Sequence, residues 1–211
     1  ELAQQFAKGG HQVLALSRNT NPLEELDLEN TTCLSLDLTR ESDVKKAADF
    51  VQANWKQVDI VIHNAGLLIN KPFTDLTSAD FQKVYDVNVF GVASLTQHMI
   101  PFLKEGSHVV TVSSMGGIQG SMKFPGLAAY SSAKGAVITL SELLAEEYKE
   151  QGITFNVLAI GAVQTEMLAE AFPGYQAPLL PEEMANYMYD FALTGHKFFN
   201  GKVLQVSSTT P

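Results

Sequence analysis

The chain has 211 residues, 45% of them hydrophobic and 18% charged, enough for one substantial core and too few for two ordinary domains with separate tasks. A formal charge of -9 without a local basic stripe sets the surface against phosphate backbones and anionic bilayers, so neither nucleic-acid nor membrane binding is expected. The single cysteine, Cys33, can form no intramolecular disulfide and no zinc site unaided, which points to a reducing, cytoplasmic setting without a metal centre.

Residues 1–8 read as an amphipathic helix stopped by Gly9 and Gly10, with no capping residue before it. The expectation is a natural polypeptide that continues upstream by roughly 20 residues, supplying a strand and a phosphate-binding turn. Without that central strand, a sheet of this type falls into two parts with unpaired edges. Strand-like runs follow at residues 12–17 and 32–36, then a helical period over 41–54 and a strand at 60–63. A long helix is predicted over 78–103, a strand over 108–113 and a helix over 131–150. The chain closes with a strand at 154–160, a helix at 181–193 and a strand at 203–206. This alternation predicts an α/β fold: a Rossmann-like, doubly wound parallel sheet with helices on both faces, in one N-terminally incomplete domain spanning 1–211. Ligands then gather at the carboxyl ends of the strands.

Tyr130 and Lys134 stand four residues apart, so on a helix a phenol and an ammonium project from one face. A neighbouring cation favours the phenolate and draws a tyrosine toward the range of a general acid and base. By itself such a pair is most often a solvated surface feature. Before it, the strand at 108–113 runs into Ser113 and Ser114, then Gly116 and Gly117; a serine there either faces the crevice or merely caps a turn. The strand at 60–63 ends in Asn64, Ala65 and Gly66, where small residues let a flat ligand approach the main chain and Asn64 can hold the loop. Asn88, inside the long apolar helix, is either a satisfied core amide or part of a relay.

Taken in order, Asp37-Leu38, Asn64-Ala65-Gly66, Asn88, Ser114, Tyr130 to Lys134 and Asn156 to Thr165 resemble the motifs of the short-chain dehydrogenase/reductases, in their compact single-domain branch. The resemblance implies an NAD(P)-dependent oxidoreductase moving a hydride between nicotinamide and a carbonyl or alcohol. It makes Tyr130 the general acid or base, assigns the nicotinamide ribose to Lys134 and the substrate oxygen to Ser114, with Ser113 the rival, and gives Asn88 a proton-relay water. It also implies that Asp37 holds the adenine amino group beside Leu38, that Asn64, Ala65 and Gly66 line the cofactor, and that Gly161, Val163 and Thr165 face the nicotinamide. Where NAD-preferring members carry an acidic residue after the second family strand, this chain has Ser17 and Arg18. A hydroxyl and a guanidinium suit a 2′-phosphate, so NADP(H) is expected over NAD(H).

Two departures stand out. Ile160 occupies a position where the family usually has proline, which predicts a looser turn, and residues 122–124 (Met122, Lys123, Phe124) look inserted beside the substrate mouth. Residues 166–180 have the composition of a lid over a largely apolar substrate, or of a loop packed permanently on the body. The helices at 78–103 and 131–150 resemble those that pair across family interfaces, implying a homodimer or homotetramer. The rival function is a non-catalytic dinucleotide sensor or scaffold of the same fold; a sugar-nucleotide epimerase would need a larger C-terminal region.

Overall fold

Parallel pairing runs through the computed structural model, which describes residues 1–207; the last four residues of the expected domain lie outside the described part. Strand β1 (Val13–Ser17) pairs with β2 (Thr31–Ser35), Val13 opposite Thr31 and Ser17 opposite Ser35. A second sheet has the order β3 (Ile60–His63), β4 (His108–Ser114), β5 (Thr154–Ile160), β6 (Val203–Val206). Among the described residues no ladder joins β1 to β3. The two parts nevertheless share their apolar layers. Leu14, Leu16 and Leu34 pack with Val61 and Val109 on one face, and Val13 packs with Ile60, Ile62 and Val110 on the other.

Helices cover both faces because each strand presents apolar side chains in both directions. On one face lie α3 (Glu41–Asn54), α5 (Gly91–Met99) and α6 (Ala128–Glu147), contributing Val44, Val51, Leu95 and Ala145. On the other lie α1 (Leu2–Lys8) and α8 (Pro181–Thr194), contributing Phe6, Met184, Met188 and Phe191. At the amino end of β4, His108 donates from Nδ1 to the Ala192 carbonyl (2.9 Å) and accepts from Asn156 Nδ2 (3.0 Å). The Asn156 amide oxygen takes the Lys202 N–H (3.1 Å). Asn156 is therefore a bolt between β4, β5 and the approach to β6, at the opposite end of β5 from Ile160.

Several elements differ from the expected ones for identifiable reasons. The helix expected over 78–103 is four pieces: α4 (Ser78–Tyr85), a π-helical turn at Asp86–Phe90, α5, and a 3₁₀ turn at Ile100–Phe102 containing Pro101, which lacks a helical donor. A capping box starts α4, Thr77 Oγ1 accepting from Asp80 N (3.1 Å) while Asp80 accepts from Thr77 N (3.0 Å). Helix α6 begins at Ala128, three residues earlier than expected, which brings Tyr130 inside it. Two short helices, α2 (Asn21–Glu24) and α7 (Glu166–Ala171), lie where loops were expected. Ile160 closes β5 at the expected position, paired between Ser114 and Val206, and Gly161 N continues the ladder to Val206 O (2.9 Å). No described helix is long and apolar enough to cross a membrane, and no described group of three or more His, Cys, Asp or Glu could hold a metal ion.

Candidate active site

The carboxyl end of β4 and the first turns of α6 are pinned together by two hydrogen bonds. Ser113 Oγ donates to the Lys134 carbonyl (2.8 Å), and Lys134 Nζ donates to the Val112 carbonyl (2.8 Å). So close an approach requires Gly117, where an added Cβ would lie 2.7 Å from the Lys134 carbonyl carbon. The two serines are used differently. Ser113 is fully buried and spends its hydroxyl on the backbone of α6, whereas Ser114, the last residue of β4, stands beside the Tyr130 hydroxyl and accepts from Gly116 N (3.2 Å).

Tyr130 and Lys134 share one face of α6, with Lys134 Nζ 5.8 Å from the centre of the phenol ring. Burial governs both groups. It pushes the Lys134 ammonium down to about 8 and raises the Tyr130 phenol above its ordinary value, the Ser114 hydroxyl acting in the opposite direction. Desolvation, and not the expected downward pull of the ammonium, sets the direction for the phenol. Tyr130 stays protonated at neutral pH.

Asn88 lies at the centre of the π-helical turn and is fully satisfied. Its Nδ2 donates to the carbonyls of Val84 and Leu67 (2.8 Å each), and its Oδ1 accepts from Leu67 N (3.2 Å). The loop after β3 is thus held by Asn88, not by the exposed Asn64. Through this clamp Gly66 is placed against the site: a Cβ there would sit 3.2 Å from Asn88 Oδ1, 3.6 Å from Lys134 Nζ and 3.8 Å from Met167 Cε. Behind the loop, His63 donates from Nε2 to Thr96 Oγ1 (2.9 Å), whose own proton goes to the Val92 carbonyl (2.8 Å). Burial first, and then the charge of Lys134, push His63 down to about 4.

Farther along, Ser17 and Arg18 are exposed at the end of β1, and Ser35 Oγ donates to the Arg18 carbonyl (3.3 Å). Asp37 accepts from the backbone N–H (2.9 Å) and the hydroxyl (2.8 Å) of Thr39, which hold its carboxyl below the usual range, with Arg40 and Arg18 adding to the effect. Leu38 packs on Gly91, where an added Cβ would meet Leu38 Cβ at 2.9 Å. That contact joins the end of β2 to the turn carrying Asn88. Beyond β5, Gly161 packs on Ser207, and Thr165 Oγ1 accepts from Leu168 N (3.3 Å) at the start of α7. Val163, expected to face a ligand, buries its side chain in the core shared with Val112, leaving only its main chain for that task.

Three loops converge above these groups. Lys71 N donates to Gly126 O (3.0 Å), joining the loop after β3 to the segment carrying Met122 and Phe124. Asn70 Nδ2 donates to Ala171 O (2.8 Å), joining the same loop to α7. Met122 and Phe124 are exposed, and Ser121 Oγ braces their segment by donating to Ile118 O (2.9 Å). Asn70 was not singled out in the sequence, and Met167 entered only as part of the lid-like stretch 166–180. The cap at Thr165 followed by acidic Glu166 is a helix-start signal that could have revealed α7, and with it Met167.

The short chain dehydrogenase family model matches residues 1–176. An oxidoreductase of Botryotinia fuckeliana is 30% identical over 86% of this chain and 66% of its own length. The NADPH-dependent pterin aldehyde reductase of Arabidopsis thaliana is 33% identical over 84% of this chain and 76% of its own length. Among solved structures, a 3-ketoacyl-(acyl-carrier-protein) reductase from Brucella melitensis, complexed with NADH, superposes with a TM-score of 0.89 at 25% identity, over 99% of this chain and 91% of that one. The chain belongs to the short-chain dehydrogenase family of oxidoreductases.

Proposed function

We propose that this chain catalyses NADP(H)-dependent interconversion of a carbonyl and an alcohol in the cytoplasm, with Tyr130 as the proton-transferring residue. The observation that carries the proposal is the meeting of Ser114, Tyr130 and Lys134 at the carboxyl end of β4, beside the loop clamped by Asn88. The donor set fits a nicotinamide ribose: Gly66 leaves a cradle that a Cβ would fill, and Lys134 presents a buried ammonium at its edge. When bound, the nicotinamide supplies or accepts the hydride. In reduction, Tyr130 donates its phenolic proton to the carbonyl oxygen while the Ser114 hydroxyl donates a hydrogen bond to the same atom. Lys134, mostly protonated at neutral pH, stabilises the phenolate left behind. Asn88 keeps the cradle in place and, by resemblance, orders a water that returns the proton.

For cofactor choice, the relatives divide: one is named for NADPH and the structural neighbour was solved with NADH. The preference for NADP(H) therefore rests on exposed Ser17 and Arg18. Apolar Met122, Phe124 and Tyr175, all exposed, suit a largely apolar carbonyl substrate. A homo-oligomer is proposed through the outer faces of α4 and α5. There Phe90, 54% exposed, borders two hollows of about 350 and 330 Å³.

The test is a panel of ketones, aldehydes and alcohols followed by nicotinamide absorbance with NADP(H) and NAD(H). Turnover with NADP(H) exceeding that with NAD(H) is expected; cofactor binding without turnover of any member would favour a sensor instead. Light scattering at micromolar concentration checks the assembly, a monomer counting against it.

A further inference from the structure

Asn200 is the only asparagine of the chain that glycine follows, and the pair lies just before β6. A backbone nitrogen beside an asparagine amide, with no side chain to shield it, can attack that amide. Here both reacting groups are engaged elsewhere. Asn200 Oδ1 accepts from Phe155 N and Nδ2 donates to the Ala145 carbonyl, at 3.1 Å each, while Gly201 N donates to the Phe155 carbonyl at 2.8 Å. The glycine is required where it stands: its φ is +67°, and an added Cβ would lie 3.2 Å from Ala145 Cβ. Asn156 holds the flanks, its Nδ2 donating to Phe199 O (2.9 Å) and its Oδ1 accepting from Lys202 N (3.1 Å). Ala145 belongs to the last turn of α6, whose carbonyls form the negative end of the helix dipole. The Asn200 amide thus ties β5, α6 and the approach to β6 together.

We infer that Asn200–Gly201 is a deamidation site which the folded chain keeps closed, and that its reaction unties α6 from the approach to β6. When the segment opens, the Gly201 nitrogen gives its proton to water and bonds to Cγ of Asn200. The bond from Cγ to Nδ2 breaks and ammonia leaves, closing a succinimide ring. Water then adds to one of the two ring carbonyls, leaving aspartate or isoaspartate at position 200. No oxidation state changes, and water is the only co-reactant. The new carboxylate has no proton to give the Ala145 carbonyl. Its charge also falls at the negative end of α6, in a turn that already carries Glu146 and Glu147. Isoaspartate lengthens the main chain by a further carbon, which draws Gly201 N out of register with Phe155. Reaction therefore follows opening and favours more of it.

The full chain tests this without any ligand. It is incubated in mildly alkaline buffer, native or in urea, and the tryptic peptide 198–202 is followed by mass spectrometry for conversion of amide to acid. Native chain should deamidate about a hundredfold more slowly than unfolded chain, the factor set by the fraction of molecules with the segment open. Hydrogen exchange of the Gly201 amide reads the same opening, so its protection factor should agree with that slowing within about threefold. Asn156→Ala, which frees Phe199 and Lys202, should speed the native reaction. Should that variant fail to fold, the agreement between exchange and deamidation in the wild-type chain still decides. Asn200→Asp, which imitates the product, should lower the midpoint of urea unfolding. Deamidation as fast in the native chain as in urea, or none in the unfolded chain, overturns the closed site. An unchanged unfolding midpoint in Asn200→Asp overturns the untying.

Discussion

The two parts of the sheet are built differently. In β4 and β5 nearly every residue is buried, and polar groups near the site are tied down across elements: Ser113 to Lys134, Lys134 to Val112, Asn88 to Leu67 and His63 to Thr96. In β1 and β2 the strands are at most half-buried, and the groups read as choosing the cofactor, Ser17, Arg18 and Asp37, are held by short local bonds at the surface. Proton transfer needs fixed geometry in a dry setting, which buried cross-element bonds provide. Recognition of a solvated phosphate needs only a correctly placed charge. A substitution in the first region should therefore alter chemistry or stability, and one in the second should alter affinity alone.

The largest test of that division is Tyr130→Phe. Loss of the proton donor should lower turnover by about 10³-fold while dinucleotide affinity, measured by calorimetry, stays within about twofold. Turnover preserved in the variant would remove the mechanism. Next is the response of the buried half to acid. His63 and His108 are held neutral with folded values of about 4 against an ordinary 6.5, so as the pH falls protons bind the unfolded chain first. The stability they protect is complete above about pH 6.5 and is lost progressively down to about 4, at about 3 kcal/mol for each imidazole. Urea unfolding across this interval, with His108→Gln flattening the slope, measures it.

A smaller effect is expected from Asn88→Ala, which strands the N–H and carbonyl of Leu67 and should cost about 2 kcal/mol in chemical denaturation. It should also raise KM by displacing Gly66. The smallest belongs to the exposed half: Arg18→Ala should weaken NADPH binding by about tenfold, near 1.4 kcal/mol, without changing NADH binding or the unfolding midpoint. Equal losses for both cofactors would show that Arg18 does not read the 2′-phosphate.

What could be read in advance tracks the range of the interactions involved. The period of the strands is a local pattern and it predicted the alternation; the Tyr130–Lys134 spacing and the polar break at Asn88 are local too, and the structure brings those residues to one end of β4. The choice between Ser113 and Ser114 was not local. It turns on which hydroxyl meets the backbone of α6, a contact spanning 21 residues. The π-helical turn escaped because the apolar period of residues 78–103 continues through it, and only the clamp on Leu67 shows why Asn88 needs it. The inward reach of Met167 required a helix, a cap and a facing loop to be placed together.

The paired strands differ in how far they shield their amides from solvent. Among the described residues, amides of β4 and β5 sit between two bonded neighbours, whereas β2 and β6 each lie beside one. In hydrogen–deuterium exchange, β4 and β5 should retain their protons longest. Exchange should reach the exposed surface carrying Arg18 before it reaches the backbone around Tyr130.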